Sequence, residues 1–219
     1  MSKIEKIRQK IESKILKEEY EFTTIKVQGV RPDKLLFVTD GDYWVQAMRL
    51  DELIFDKLKL SDFVVVALSQ KDRNKELPYN HDFARFVATE MKDKLAQQFS
   101  VKSWIFFGNS YGALCGLNIA CCFKDAFDVY VCQSPSMFLD GVENGKKNAQ
   151  LYLKNGFNNQ VYVSHGSREG EKFCKPIIDT FEKIEGVCLY QHKGGHNYDA
   201  WKRDLQRFCE KEFVKEKHQ

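Results

Sequence analysis

Short, continuously apolar runs recur along the chain, and longer segments of helical period separate them. Leu35-Leu36-Phe37-Val38, Phe63–Leu68, and the runs at 104–107, 129–132, 161–164 and 187–190 are of this kind. A strand with one wet face alternates apolar and polar residues, whereas a strand apolar throughout is buried on both faces. Between the runs, apolar spacing predicts helices over about 45–58, 81–99, 113–120, 174–184 and 201–213. Strands alternating with helices predict an α/β fold, with a mostly parallel central sheet flanked by helices on both faces. In such sheets the loops at the strand carboxyl ends carry the chemistry.

The flanks are less regular. Residues 20–27 alternate and read as a strand, stopped by Gly29 and Pro32. Ile4, Ile7, Ile11 and Ile15 recur at helical spacing among charged residues, which predicts an amphipathic helix within residues 1–19. The stretch 139–159 is polar and reads as irregular, with one short helix near 149–153. At 219 residues the expectation is one α/β domain spanning 1–219.

Composition narrows the partners. The net charge of +3, from 34 basic and 31 acidic residues, leaves no nucleic-acid footprint. No apolar run approaches membrane-spanning length, and residues 1–19 lack the apolar core of a secretory leader. The seven cysteines have no C-x-x-C spacing, and Cys115, Cys121, Cys122, Cys132 and Cys188 sit in apolar runs. Buried free thiols and a cytoplasmic location are the expectation. Nothing in the sequence bears on oligomeric state.

Gly108-Asn109-Ser110-Tyr111-Gly112 lies between an apolar strand and a small-residue helix. In that context G-x-S-x-G reads as a nucleophile elbow, a tight turn that lifts the Ser110 hydroxyl above the sheet. The plainer reading is a Gly-rich turn whose serine caps the helix. A serine nucleophile needs a base, and His196 follows the last predicted strand. Glu169, after the preceding strand, gives the chain order Ser, acid, His. Glu171, Asp140 and Glu143 remain alternative acids. The oxyanion needs two backbone donors, for which the Tyr111 amide and the Asp42 amide in the Asp40-Gly41-Asp42 loop are the candidates. Arg73 and Arg168 suit planar anionic oxygens, or else serve as structural ion-pair partners, Arg73 with Glu76 for instance. No metal or organic cofactor is needed for this chemistry.

Together the motifs Asp40-Gly41-x-x-Trp44, Arg73-x-x-Glu76-Leu77, Gly108-x-Ser110-x-Gly112, Gln133-Ser134-x-Ser136, Gly166-x-Arg168-Glu169 and Gly194-Gly195-His196-x-x-x-x-Trp201 resemble one family. It is the enterochelin-esterase-like (Fes/IroE-type) branch of the putative-esterase α/β-hydrolases. The resemblance runs from about residue 35 to 208 and implies an α/β-hydrolase fold and a serine esterase acting on a small-molecule ester. Ser110 takes the family's nucleophile position, His196 the base and Glu169 the acid, while Arg73, Arg168 and Trp44 fall at positions around the substrate. Members hydrolyse the trilactone backbone of catecholate siderophores, others cleave feruloyl or simple acyl esters, and some transfer acyl groups. A siderophore trilactone esterase is thus the implied function. A short-chain or feruloyl-type esterase and an inactive ligand-binding homologue are the alternatives. Three departures stand out: Ala113 and Pro135 each replace a usual glycine, and the segment before Leu35 is too short for the extra N-terminal domain of the trilactone esterases.

Overall fold

The computed structural model of the protein describes residues 3–138 and 141–214, so Leu139, Asp140 and His218 lie outside it. Its strands form one eight-stranded sheet. They are β1 (Ile4–Ser13), β2 (Glu18–Val27), β3 (Lys34–Val38), β4 (Phe63–Leu68), β5 (Ser103–Asn109), β6 (Val129–Gln133), β7 (Gln160–Gly166) and β8 (Val187–His192). The order across the sheet is β1-β2-β4-β3-β5-β6-β7-β8. From β4 to β8 all neighbours are parallel, while β1, β2 and β4 pair antiparallel. This is the mostly parallel sheet that the apolar runs predict.

Continuous apolarity has its expected cause, since each run feeds two cores. In β3, Leu35 and Phe37 face one buried cluster, whereas Leu36 and Val38 face the other. The first core is aromatic, with Phe106 and Phe127 in ring contact with one another and each with Phe37 and with Tyr130.

The helices are α1 (Gly41–Gln46), α2 (Arg73–Glu76), α3 (His81–Phe86), α4 (Lys92–Gln98), α5 (Tyr111–Cys122), α6 (Val142–Asn155), α7 (Glu171–Phe181) and α8 (Tyr198–Cys209). A π-helical turn, Val87–Met91, joins α3 to α4, so the predicted helix over 81–99 is continuous. The helix expected over 45–58 is two pieces, α1 and a π-helical turn at Glu52–Lys57, with Arg49 at φ 51° between them. The stretch read as irregular is mostly helix. α6 runs fourteen residues but buries only Gly145 and Tyr152, too few to print an apolar period. No helix among the described residues is long and apolar enough to cross a membrane.

The N-terminal helix is overturned. Residues 4–13 form β1, a hairpin partner of β2 with Ile7 opposite Thr24 and Ile11 opposite Tyr20. Positions four apart share a face in a helix and in a strand alike, so Ile7 and Ile11 fit both. Only the step of three from Ile4 to Ile7 discriminates, and the structure resolves it as a strand. Ile4 packs with one core and Ile11 with the other, and Ile7 is exposed. The turn after β1 is fastened by Glu90, which accepts from the Ser13 hydroxyl (2.6 Å) and the Lys14 amide (3.0 Å). The thiols also divide: Cys115, Cys121, Cys132 and Cys209 are buried, but Cys122 and Cys188 are exposed, contrary to expectation, because Cys122 ends α5 and Cys188 lies on the edge strand β8.

Phe106 is fully buried at the centre of the aromatic core. Phe106→Ala is expected to destabilise the fold by about 3–5 kcal/mol, read as a lower midpoint in urea unfolding.

Candidate active site

Ser110, Glu169 and His196 each stand just beyond a strand carboxyl end. Ser110 joins β5 to α5 with φ 55° and ψ −116°, a region that L-residues rarely enter. The turn is held there by close packing. A Cβ on Gly108 would lie 2.4 Å from the Gly112 carbonyl oxygen, and one on Gly112 would lie 2.3 Å from Thr39 Oγ1. Its amide donates to the Gln133 carbonyl (2.9 Å), and its carbonyl accepts from the Leu114 (3.2 Å) and Ser136 (3.4 Å) amides. Ser110 makes no side-chain cap to α5, so the plainer capping reading fails. Ala113, fully buried, fits without displacing the turn.

His196 Nε2 lies 3.0 Å from Ser110 Oγ. The imidazole is clamped edge-to-face between Phe173 of α7 (4.6 Å) and Trp201 of α8 (4.8 Å). Ser136 Oγ is a second neighbour of the Ser110 hydroxyl, at 2.8 Å. Because Ser110 has one hydrogen, donation to His196 leaves Ser136 as its donor.

Glu169 faces the far side of the ring, with Oε1 3.7 Å from His196 Nδ1 and its side chain fully buried. Ser134 Oγ donates to the same oxygen at 2.5 Å. Burial raises the Glu169 carboxyl, but the His196, Ser134 and Gly166 donors outweigh it and hold it below the ordinary 4.5. The rival acids are placed elsewhere: Glu171 and Glu143 are exposed, Glu143 pairs with Lys146, and Asp140 lies outside the described residues. His165 and His192 are buried beside Glu169, and burial lowers the His165 pKa.

Of the other predicted groups, Arg73 does not pair with Glu76. Its Nε binds Asp40 Oδ1 at 2.7 Å, and its guanidinium stacks over the Tyr111 ring at 5.2 Å. Glu76 instead accepts from Tyr20 and the Lys71 amide. Arg168 is exposed, and its guanidinium has no hydrogen bond or ion pair among the described residues. Trp44 requires a correction: it is 0% exposed, packs on Phe107 and Tyr198, and donates to Asn109 Oδ1 (3.0 Å) from behind the elbow. It supports the turn and cannot reach a substrate. Asp42 is exposed in α1, and Asp40's own amide is engaged by Gln70 Oε1 (2.8 Å). A cleft of about 240 Å³ beside the elbow is lined by Asp40, Gly41, Asp42, Tyr43, Arg73 and Tyr198 among others. Tyr43, 46% exposed, stacks there on Tyr198 at 4.0 Å.

Sequence reasoning missed two supports. The motif Gln133-Ser134-x-Ser136 marked both serines, but nothing in it told which would touch the nucleophile and which the acid. The buried Asp204 of α8 was also missed, because it reads as one more charge on a helix. Its Oδ2 accepts from Gln133 of β6 (2.9 Å), Ser164 of β7 (3.0 Å) and Tyr190 of β8 (3.1 Å), which ties three strand ends to the helix carrying Trp201. Among the described residues no group of three or more His, Cys, Asp or Glu is placed to hold a metal ion.

A serine on a strained strand–helix turn, met by a histidine from the last strand above a mostly parallel sheet, defines a protein of the α/β-hydrolase fold. The chain belongs to the family described as "Putative esterase", whose model matches residues 13–210. No curated protein matches it. Among solved structures it is similar to the enterobactin esterase FES of Shigella flexneri in the presence of enterobactin (19% identity, TM-score 0.80, 93% of this chain and 57% of that one). It is also similar to an IroE-like serine hydrolase of Shewanella oneidensis (13%, 0.78, 96% and 80%) and to the fluorophosphonate-binding serine hydrolase FphF of Staphylococcus aureus (15%, 0.72, 94% and 96%). The chain thus spans little more than half the length of the enterobactin esterase.

Two outcomes follow from this geometry. Gly112→Ala must displace Thr39 and is expected to cost about 1–3 kcal/mol, read as a lower thermal midpoint. Because Glu169 titrates below 4.5 when folded, the unfolded chain takes up the proton first as pH falls. Its stabilisation is complete above about pH 4.5 and lost below that value. Thermal midpoints measured against pH should therefore fall less steeply in Glu169→Gln than in the parent protein over that acid range.

Proposed function

We propose that the chain is a serine ester hydrolase working through an acyl-enzyme, with Ser110, His196 and Glu169 as its catalytic triad. The observation that carries the reading is the 3.0 Å approach of His196 Nε2 to a hydroxyl held on a strained turn. His196 takes the Ser110 proton as Oγ attacks the ester carbonyl carbon. Negative charge passes to the carbonyl oxygen, which the Tyr111 amide and the Asp42 amide receive. The tetrahedral intermediate collapses, the alkoxide leaves, and His196 returns the proton to it. Water, deprotonated by His196, then attacks the acyl-enzyme and releases the acid. Glu169, held ionised, offsets the imidazolium charge. The 3.7 Å separation from Nδ1 suits a site whose hydrogen bonds tighten on binding substrate.

For substrate we infer a lactone or ester bearing anionic or phenolic oxygens, of which a catecholate trilactone is the leading case. Support comes from the likeness to the enterobactin esterase and from Arg168, the exposed sequence neighbour of Glu169, whose guanidinium is unpaired among the described residues. Arg73 is the poorer substrate ligand, since Asp40 occupies it. The aromatic cleft at Tyr43 and Tyr198 suits the acyl or alcohol group. We take residues 1–219 as one domain and the cytoplasm as its location, where seven free thiols persist.

Ser110→Ala is expected to lower kcat for p-nitrophenyl acetate by about 10³–10⁶ and to abolish labelling by a fluorophosphonate; full labelling of the variant would remove Ser110 from the chemistry. Arg168→Ala is expected to raise KM for a catechol trilactone about tenfold while leaving KM for p-nitrophenyl acetate and the thermal midpoint unchanged. Equal effects on both substrates would favour a general short-chain esterase.

A further inference from the structure

Ser134 is an unusual place to spend a hydroxyl. It is 0% exposed, and its backbone sits at φ 48°, where a serine is strained. Its Oγ meets three groups: Glu169 Oε1 at 2.5 Å, Trp201 Nε1 at 3.0 Å and His192 Nε2 at 3.2 Å. A hydroxyl has one hydrogen and two lone pairs. Glu169, as a carboxylate, can only accept, so it takes the hydrogen. Trp201 Nε1 can only donate, so it fills one lone pair. His192 must then donate from Nε2 into the other, which fixes its tautomer. Ser134 is saturated.

His192 Nε2 lies 3.8 Å from Glu169 Oε1 and His196 Nδ1 lies 3.7 Å from that same atom. Two imidazoles therefore compete for one carboxylate oxygen at almost equal range. His192 is buried and would gain more from a charged partner than the partly exposed His196. The Ser134 hydroxyl bonds both Glu169 Oε1 and His192 Nε2.

We propose that Ser134 is a positioning residue that reserves the Glu169 carboxylate for His196 by engaging His192 itself, with Trp201 as its anchor. The inference rests on the triad read above. Trp201 links the two halves of the device: its indole N–H holds Ser134, and its ring packs on the His196 imidazole. Without the hydroxyl, His192 turns its N–H onto Glu169, and His196 loses the partner that orients it.

The test is steady-state hydrolysis of p-nitrophenyl acetate by a set of variants. Ser134→Ala is expected to lower kcat about a hundredfold with KM nearly unchanged. Adding His192→Phe removes the competing N–H and is expected to restore about tenfold of that loss. A merely structural serine predicts further loss instead. In a Glu169→Gln background Ser134→Ala is expected to have no further effect on kcat, because it acts through that carboxylate. Should Ser134→Ala fail to fold, Trp201→Phe keeps the ring on His196, drops the N–H, and is expected to lower kcat about fivefold, again with no further effect in Glu169→Gln. Full activity in Ser134→Ala, loss without rescue by His192→Phe, or additivity with Glu169→Gln overturns the proposal. Full activity in Glu169→Gln itself overturns the triad reading instead, so the two failures are distinct.

Discussion

The contact between β5 and α5 is the constraint on which the site depends. Gly108 and Gly112 leave no space for a Cβ, and the helix starts only where the strand has just ended. Gly116 repeats the condition one turn on, where a Cβ would strike the Phe106 ring at 2.5 Å. The chain has no relaxed way to pass from strand to helix across so small a gap. Ser110 absorbs the misfit as backbone strain, and the surrounding bonds from β6 and α5 keep it there. The rest of the site is hung around that fixed point by loops from β3, β6, β7 and β8.

Much of this was legible because it is written in local chemistry. Continuous apolar runs are needed for a sheet covered twice, and the strands from β3 to β8 appear where the runs lie. Ser110, Glu169 and His196 stood out as candidates because each follows a strand, in a turn rich in glycine. What failed was information carried by partners. The isoleucines of β1 fit two periods, and only the neighbouring strand decided between them. Trp44 sits in a motif near the site, yet its sequence neighbours do not reveal that it faces inward. Arg73 had an acid three residues away and took another, thirty-three residues back. Ser134 and Ser136 have near-identical contexts and opposite duties, which only the third dimension separates.

Charge near the site is managed by enclosure. Asp40, Glu169 and Asp204 are all buried, and each is matched with named donors. Asp40 has Arg73, although burial still pushes its carboxyl above the ordinary value. Asp204 gathers strand ends from three sides and joins Arg207 on its own helix. The site's geometry is thus fixed by polar bonds in a dry interior, where their loss is expensive.

The distance along the chain between Ser110 and His196, 86 residues, has a temporal meaning. Synthesis runs from the N-terminus, so every residue of β3, the elbow and α5 is made before β8. β8 then pairs with β7 at the edge of the sheet and is tied to α8 through Tyr190 and Asp204. The hydroxyl meets its imidazole only when the last strand docks. The Ser110–His196 pair therefore requires β8 and α8 to be in place, and any chain cut short before β8 lacks the imidazole that meets the Ser110 hydroxyl.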